Sequence, residues 1–194
     1  MSLTWRNLGV GLAGTLALLM VLALGLTTVF AQGPMRVSGG GEAVAAEFVT
    51  YHMLAGGTVD VPSIGTIGNR FTFGFNGTKD SNGNVQGQMQ LVDHDLGLTI
   101  HSDVADIDTH PNQGAPVGTG DPPGVSFRMS SSTESVIVNG ESRPGWQIRN
   151  SPTFDGGEPG ADKDTVCFEL FNAAGDRILQ WSAFLSSGNV QIKP

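Results

Sequence analysis

The sequence predicts an all-β fold, a single antiparallel β-sandwich or β-barrel of mostly meander connectivity, following an N-terminal signal helix. Three observations predict it. Residues 70–94 read as two alternating strands around an Asn-Gly-rich break, with Phe71, Phe73 and Phe75 on one face and Arg70, Thr72 and Gly74 on the other. Asn and Gly tolerate the positive φ that tight hairpin turns require. Further alternating runs recur along the chain, punctuated by turn residues. Glycine is abundant, at 28 residues, and no amphipathic helical stretch of useful length follows the N-terminus.

The first segment is read as an export signal. Arg6 supplies a positive start, Leu8 to Phe30 is an uncharged apolar run of 23 residues, and Val29-Phe30-Ala31 offers small residues where a signal peptidase cuts. Residues 1–31 are therefore expected to leave after Ala31, with 32–194 as one secreted β-domain. The run is also long enough to span a bilayer, so an uncleaved anchor is the alternative, and the only expected contact with a membrane.

Strands are predicted at Glu42–Val49, Arg70–Phe75, Val85–Val92, Leu96–His101, Val125–Met129, Ser135–Val138, Trp146–Arg149, Thr165–Phe171, Arg177–Phe184 and Asn189–Ile192. Asn76-Gly77, Asn82-Gly83, Asn139-Gly140, Ala174-Gly175-Asp176 and Ser187-Gly188-Asn189 are read as turns, which leaves Asn76-Gly77-Thr78 a turn rather than a glycosylation site. Pro111–Gly124 is proline-rich and reads as a long surface loop, because proline removes ladder donors. Phe154–Asp164 is a second, acidic, glycine-rich loop.

Without Arg6, nine basic side chains face eighteen acidic ones, a net charge of −9. Such a domain lacks the basic footprint of a nucleic-acid binder, and anionic lipid would repel it. Cys167, the lone cysteine, excludes an internal disulfide and, in VCFELF, reads as a buried small hydrophobe.

Phe73-Gly-Phe-Asn76, Gly87-Gln-Met-Gln90, Val92-Asp-His94 and Leu98-Thr-Ile-His101 follow one another in a recognisable order. Gly157-Glu-Pro-Gly160 with Asp164-Thr165, the closing Ser187-Gly-Asn-Val-Gln-Ile192 and the opening Val37-Ser-Gly-Gly-Gly41 complete the set. In order and spacing the chain resembles the small secreted bacterial β-domain that follows choice-of-anchor P modules. The resemblance spans 37–192, with Pro111–Gly124 as an insertion. It implies a secreted or surface-associated β-domain and brings no catalytic residues with it.

Candidate chemistry is sparse. Asp93-His94-Asp95 with His101 has the donor types of a zinc site but no ligand spacing, and the Asp residues suit a self-capped turn better. Asp155, Glu158, Asp162 and Asp164 offer hard oxygen ligands for calcium, against the plainer reading of a solvated acidic turn holding Lys163. No G-x-S-x-G, H-E-x-x-H or phosphate-binding glycine loop occurs, and the glutamates sit in no signature. Gln88, Gln90, Thr99 and His101 share the non-aromatic faces of neighbouring strands. With Trp146, beside a turn, they form the expected binding surface for a glycan or a surface protein. A wetted sheet face is the alternative.

The expectation is thus a non-catalytic, exported binding or structural module without nucleic-acid partners and with no cofactor beyond calcium. A secreted hydrolase with carboxylates converging in a cleft, and a barrel enclosing an apolar ligand behind Phe71, Phe73 and Phe75, are the competing readings.

Overall fold

The computed structural model describes residues 34–52, 57–110, 126–156, 160 and 162–193; the N-terminal run read above as an export signal, Pro111–Gly124 and Glu158 lie outside them. The described residues form twelve strands and no helix: β1 (Met35–Val44), β2 (Phe48–His52), β3 (Thr58–Pro62), β4 (Arg70–Lys79), β5 (Val85–Asp93), β6 (Leu98–His110), β7 (Ser126–Ser131), β8 (Ile137–Val138), β9 (Glu141–Ser142), β10 (Gln147–Phe154), β11 (Thr165–Phe171) and β12 (Arg177–Lys193).

Eight of them close a ring in the order β1-β4-β5-β6-β7-β10-β11-β12, every neighbouring pair antiparallel. The fold is an up-and-down barrel, closed where the first described strand, β1, pairs with the last, β12. Closure leaves the ring no edge strand. Two hairpins are inserted, β2–β3 after β1 and β8–β9 after β7. Both β6 and β12 are long enough to change neighbours. β6 pairs with β5 through Leu98–Asp103 and with β7 through Val104–His110. β12 pairs with β11 up to Phe184 and with β1 from Leu185.

Eight strands leave an interior just wide enough for side chains to fill. Here they fill it. Phe71, Phe73, Phe75, Met89, Leu91, Ile107, Phe127, Met129, Phe168 and Trp181 are buried in one cluster. The Phe75 ring lies 5.4 Å from Phe127 and 6.5 Å from Phe168, and Phe73 lies 5.5 Å from Phe168, in the tilted geometry aromatic pairs prefer.

The glycines of β1 make this packing possible. Gly39 faces Phe75 and Gly41 faces Phe73 across the β1–β4 ladder. A Cβ at Gly39 would sit inside the Phe75 ring, and one at Gly41 would strike the Ser187 carbonyl. The Phe75 ring therefore lies directly on the β1 backbone at Gly39, and β12 is seated directly against Gly41.

Several sequence-level boundaries are corrected. Asn76-Gly77 is inside β4, where Gly77 sits beneath Ile107; the turn is Asp80–Asn84, with Asp80 Oδ1 accepting from the N–H groups of Asn82 and Asn84 and Gly83 at φ 86°. Ser187-Gly188-Asn189 does not turn either: β12 runs through it as one 17-residue strand with a bulge opposite Glu42/Ala43. The glycine run Val37–Gly41 is strand, Glu42–Val49 splits between β1 and β2, and β3 had no sequence signal. The Leu96–His101 run continues to His110. Trp181 is fully buried, and Cys167 is a free, buried thiol, as the sequence suggests.

Replacing Gly39 with valine forces the Phe75 ring to move, so this variant is expected to lose about 1–3 kcal/mol in urea unfolding, the usual range for an overfilled core. An unchanged midpoint would show that the ring does not rest on β1.

Candidate functional site

Alternation places two polar rows side by side on the outside of the barrel. One runs Asn189–Gly40–Gly74–Gln90–His101–Ile137 across β12, β1, β4, β5, β6 and β8. The next runs Gln191–Ser38–Asn76–Gln88–Asp103. Over them opens a groove of about 910 Å³, within the range of ligand clefts. Gly74, Asn76, Gln88, Gln90, His101 and Asp103 contribute from β4, β5 and β6; Ser132, Glu134, Ser135, Ile137 and Ser142 come from the segment carrying β8 and β9.

That segment is held to β6 by hydroxyls. Ser135 Oγ lies 2.9 Å from Ser102 Oγ and accepts the Asp103 N–H at 3.1 Å. Asn139 Oδ1 accepts the Thr99 N–H at 2.7 Å, and β8 pairs with Ile100 and His101. The groove wall is thus fastened to the strand that bears His101 and Asp103.

Three of the five expected binding residues, Gln88, Gln90 and His101, line the groove. Thr99 does not; it stands opposite Val92, one ladder step away from the Gln90–His101 pair. Trp146 is also outside it, half-buried against the main core with the Arg143 guanidinium 5.8 Å from its ring. Asp103, Ser132, Glu134, Ser135 and Ser142 were missed. Asp103 was within reach of the sequence, two residues beyond His101 on the same strand face. The others come from a short loop that only the tertiary fold lays beside β6.

The remaining polar sequence features hold the fold together. Asp93 is fully buried at the inner end of β5. Its Oδ2 accepts from Trp181 Nε1 at 2.7 Å and Asn69 Nδ2 at 2.8 Å, while Oδ1 accepts the N–H groups of Asp95 and Leu96. Burial pushes this carboxyl up, but the four donors outweigh it and hold its pKa below the ordinary 3.8. Asp95 Oδ2 caps Arg70 N, so Asp93-His94-Asp95 is a self-capped turn. His94 lies against Thr72 and His101 against Gln90, four residues apart along β5.

In the acidic loop, Asp164 is buried, with Oδ1 accepting Gly156 N at 2.8 Å and Oδ2 accepting Val190 N at 2.6 Å. Asp155 Oδ2 accepts Ile192 N at 3.2 Å, and Asp162 is exposed at φ 64°. Glu158 is outside the described residues. Among those described, no three His, Cys, Asp or Glu side chains are grouped as a metal site.

A second small core lies under the β2–β3 hairpin, where Val49, Tyr51 and Phe154 pack with Val61 and Phe184. Tyr51 Oη meets Thr165 Oγ1 at 2.8 Å, and burial raises the Tyr51 pKa. Beside it, burial pushes the Cys167 thiol up to about 12.

Compared with known proteins, the chain matches no family model, no curated protein and no solved structure.

Two outcomes follow from the buried groups. Because the folded pKa of Asp93 is lowered, its stabilisation is complete above the ordinary carboxyl value and lost as pH falls through the folded one. Asp93→Asn should cost about 1.5–3 kcal/mol near neutral pH, and urea midpoints should show it losing less stability than the parent below about pH 4. Cys167 should resist a thiol reagent in the native protein and react fully in denaturant; rapid native labelling would contradict its burial.

Proposed function

We propose that the chain is an exported, non-catalytic binding module of the kind its resemblance to the post-choice-of-anchor-P domain suggests, with the outer groove as its ligand site. The observation that carries this reading is the division of labour in the barrel wall. Inward residues fill the barrel with packed aromatic and aliphatic side chains, so a ligand is met on the outside. There, amides, hydroxyls, an imidazole and two carboxylates border one concave surface. Side chains of this kind exchange hydrogen bonds with a hydroxyl-rich or peptide ligand and discriminate by leaving mismatched groups unpaired. The net charge of −8 makes anionic partners, nucleic acid among them, electrostatically disfavoured.

A hydrolase is the second reading, and one observation favours it: Asp103 and Glu134 both line the groove. Glycoside hydrolysis requires two such carboxylates across the bond to be cut. The other polar side chains of the groove are amides, hydroxyls and an imidazole, groups suited to holding a ligand, so binding is preferred.

A thermal-shift screen of neutral, amino and acidic oligosaccharides and short peptides tests both. A ligand that binds the native state raises the melting temperature. Gln88→Ala and Gln90→Ala should each weaken that ligand roughly fivefold without altering the melting temperature of the free protein. Ligand consumption that stops in Asp103→Asn and Glu134→Gln would establish the hydrolase instead.

A further inference from the structure

The glycines of the barrel wall divide into two kinds. Gly39, Gly41, Gly77, Gly87 and Gly188 are demanded by the fold, since a Cβ on any of them would collide with a side chain or a carbonyl. Gly40 and Gly74 are different. They face each other across the β1–β4 ladder on the outer surface. A Cβ on Gly74 would meet nothing within 4 Å, and one on Gly40 only the Phe73 carbonyl at an ordinary 3.5 Å. Neither is among the positive-φ glycines.

Fold stability therefore argues against glycine at both positions. Glycine inside a strand is less stable than alanine because its backbone loses more freedom on folding, and β-branched residues suit this surface better. Where packing and backbone angles do not ask for it, glycine in a strand marks the close approach of something else to the backbone. Gly74 lines the groove, and its ladder partner on the other side is Gln90, itself opposite His101. The side-chain-free step thus continues the polar row: Gly74 lies in the groove, and Gly40, outside its lining, is the next position along the row.

Resting on the groove reading above, we infer that the Gly40–Gly74 step is a saccharide subsite: a sugar ring lies flat on the bare backbone, with its hydroxyls turned to Gln88, Gln90 and His101. A flat ring edged with hydroxyls fits a floor without side chains bordered by amides. A peptide strand would instead seek a sheet edge, and the edge nearest the groove, β9, is two residues long. Among the groove's lining residues Asp103 and Glu134 are the charged ones and both are acidic, so the sugar is neutral or amine-bearing and acidic sugars are rejected.

The test is titration calorimetry of the protein with cellohexaose, the hexamers of N-acetylglucosamine and of glucosamine, and hexagalacturonate. Binding of one of the first three, with at least tenfold weaker binding of the acidic hexamer, is expected. Gly74→Val should keep or raise the melting temperature yet weaken that binding at least tenfold, with Gly74→Ala and Gly40→Val, the latter just outside the groove's lining, intermediate. Parental affinity in Gly74→Val, with binding still weakened by Gln90→Ala, would overturn the floor and leave the groove standing. No binding of any hexamer by the parent overturns the saccharide assignment, and selective binding of a short peptide in the screen above would then give the groove to a protein partner. A melting temperature for Gly74→Val and Gly74→Ala as low as that of Gly39→Val would show that the fold demands glycine there, and would also overturn the inference.

Discussion

The close seating of β1 between β4 and β12 is the constraint on which the rest of the barrel depends. It joins the two ends of the meander, and it can do so only because inward positions 39 and 41 carry no side chain. A side chain at 39 would push β1 away from Phe75 and one at 41 away from the Ser187 carbonyl of β12, and the seam could not close over the filled interior. Closure in turn removes the edges that an open eight-stranded meander would present to other chains. The resemblance motifs read differently in this light. The opening glycine run, the FGFN strand and the closing SGNVQI strand are three adjacent staves of the barrel, meeting at its seam.

Buried polar groups pin the parts that this seam does not reach. Asp93 ties the β5–β6 turn to Trp181 on β12, across the barrel from it in the ring. Such a carboxylate is tolerable inside only because each oxygen has at least two donors. Asp164 performs the same office for the acidic loop, drawing Gly156 and Val190 together, and Gly160 is packed too closely on Asp164 and Asn189 to carry a side chain. Gly160, the Asp164-Thr165 pair and Gly188-Asn189, apart in sequence, thereby converge on one structural latch. The hairpin β2–β3 adds a small outer core that keeps Thr165 and Cys167 from water.

With the inside committed to packing and Asp93 and Asp164 to capping, the outer face carries the polar row of Gln88, Gln90 and His101. The groove stands where a strand changes partners. β6 leaves β5 and takes up β7, and the β8–β9 hairpin fills the edge of β6 that β7 does not cover. A surface irregularity of this sort gives a smooth barrel wall concavity without opening the core.

Local alternation determined much of this from the sequence alone: the all-β class, the antiparallel pairing of β4 with β5, the inward Phe71, Phe73 and Phe75, the buried Cys167, and the outward Gln88, Gln90 and His101. These follow from a side-chain period of two, which any one strand carries by itself. Asparagine-glycine pairs misled at Asn76-Gly77 and Ser187–Asn189, because glycine serves a turn and a crowded strand equally well and only the neighbour across the ladder shows which. The choice of barrel over sandwich, the neighbours exchanged along β6 and β12, and the arrival of Glu134 and Ser135 beside His101 were decided by tertiary structure. Each depends on contacts between residues distant in sequence, and closure is a property of the whole ring that no single strand encodes.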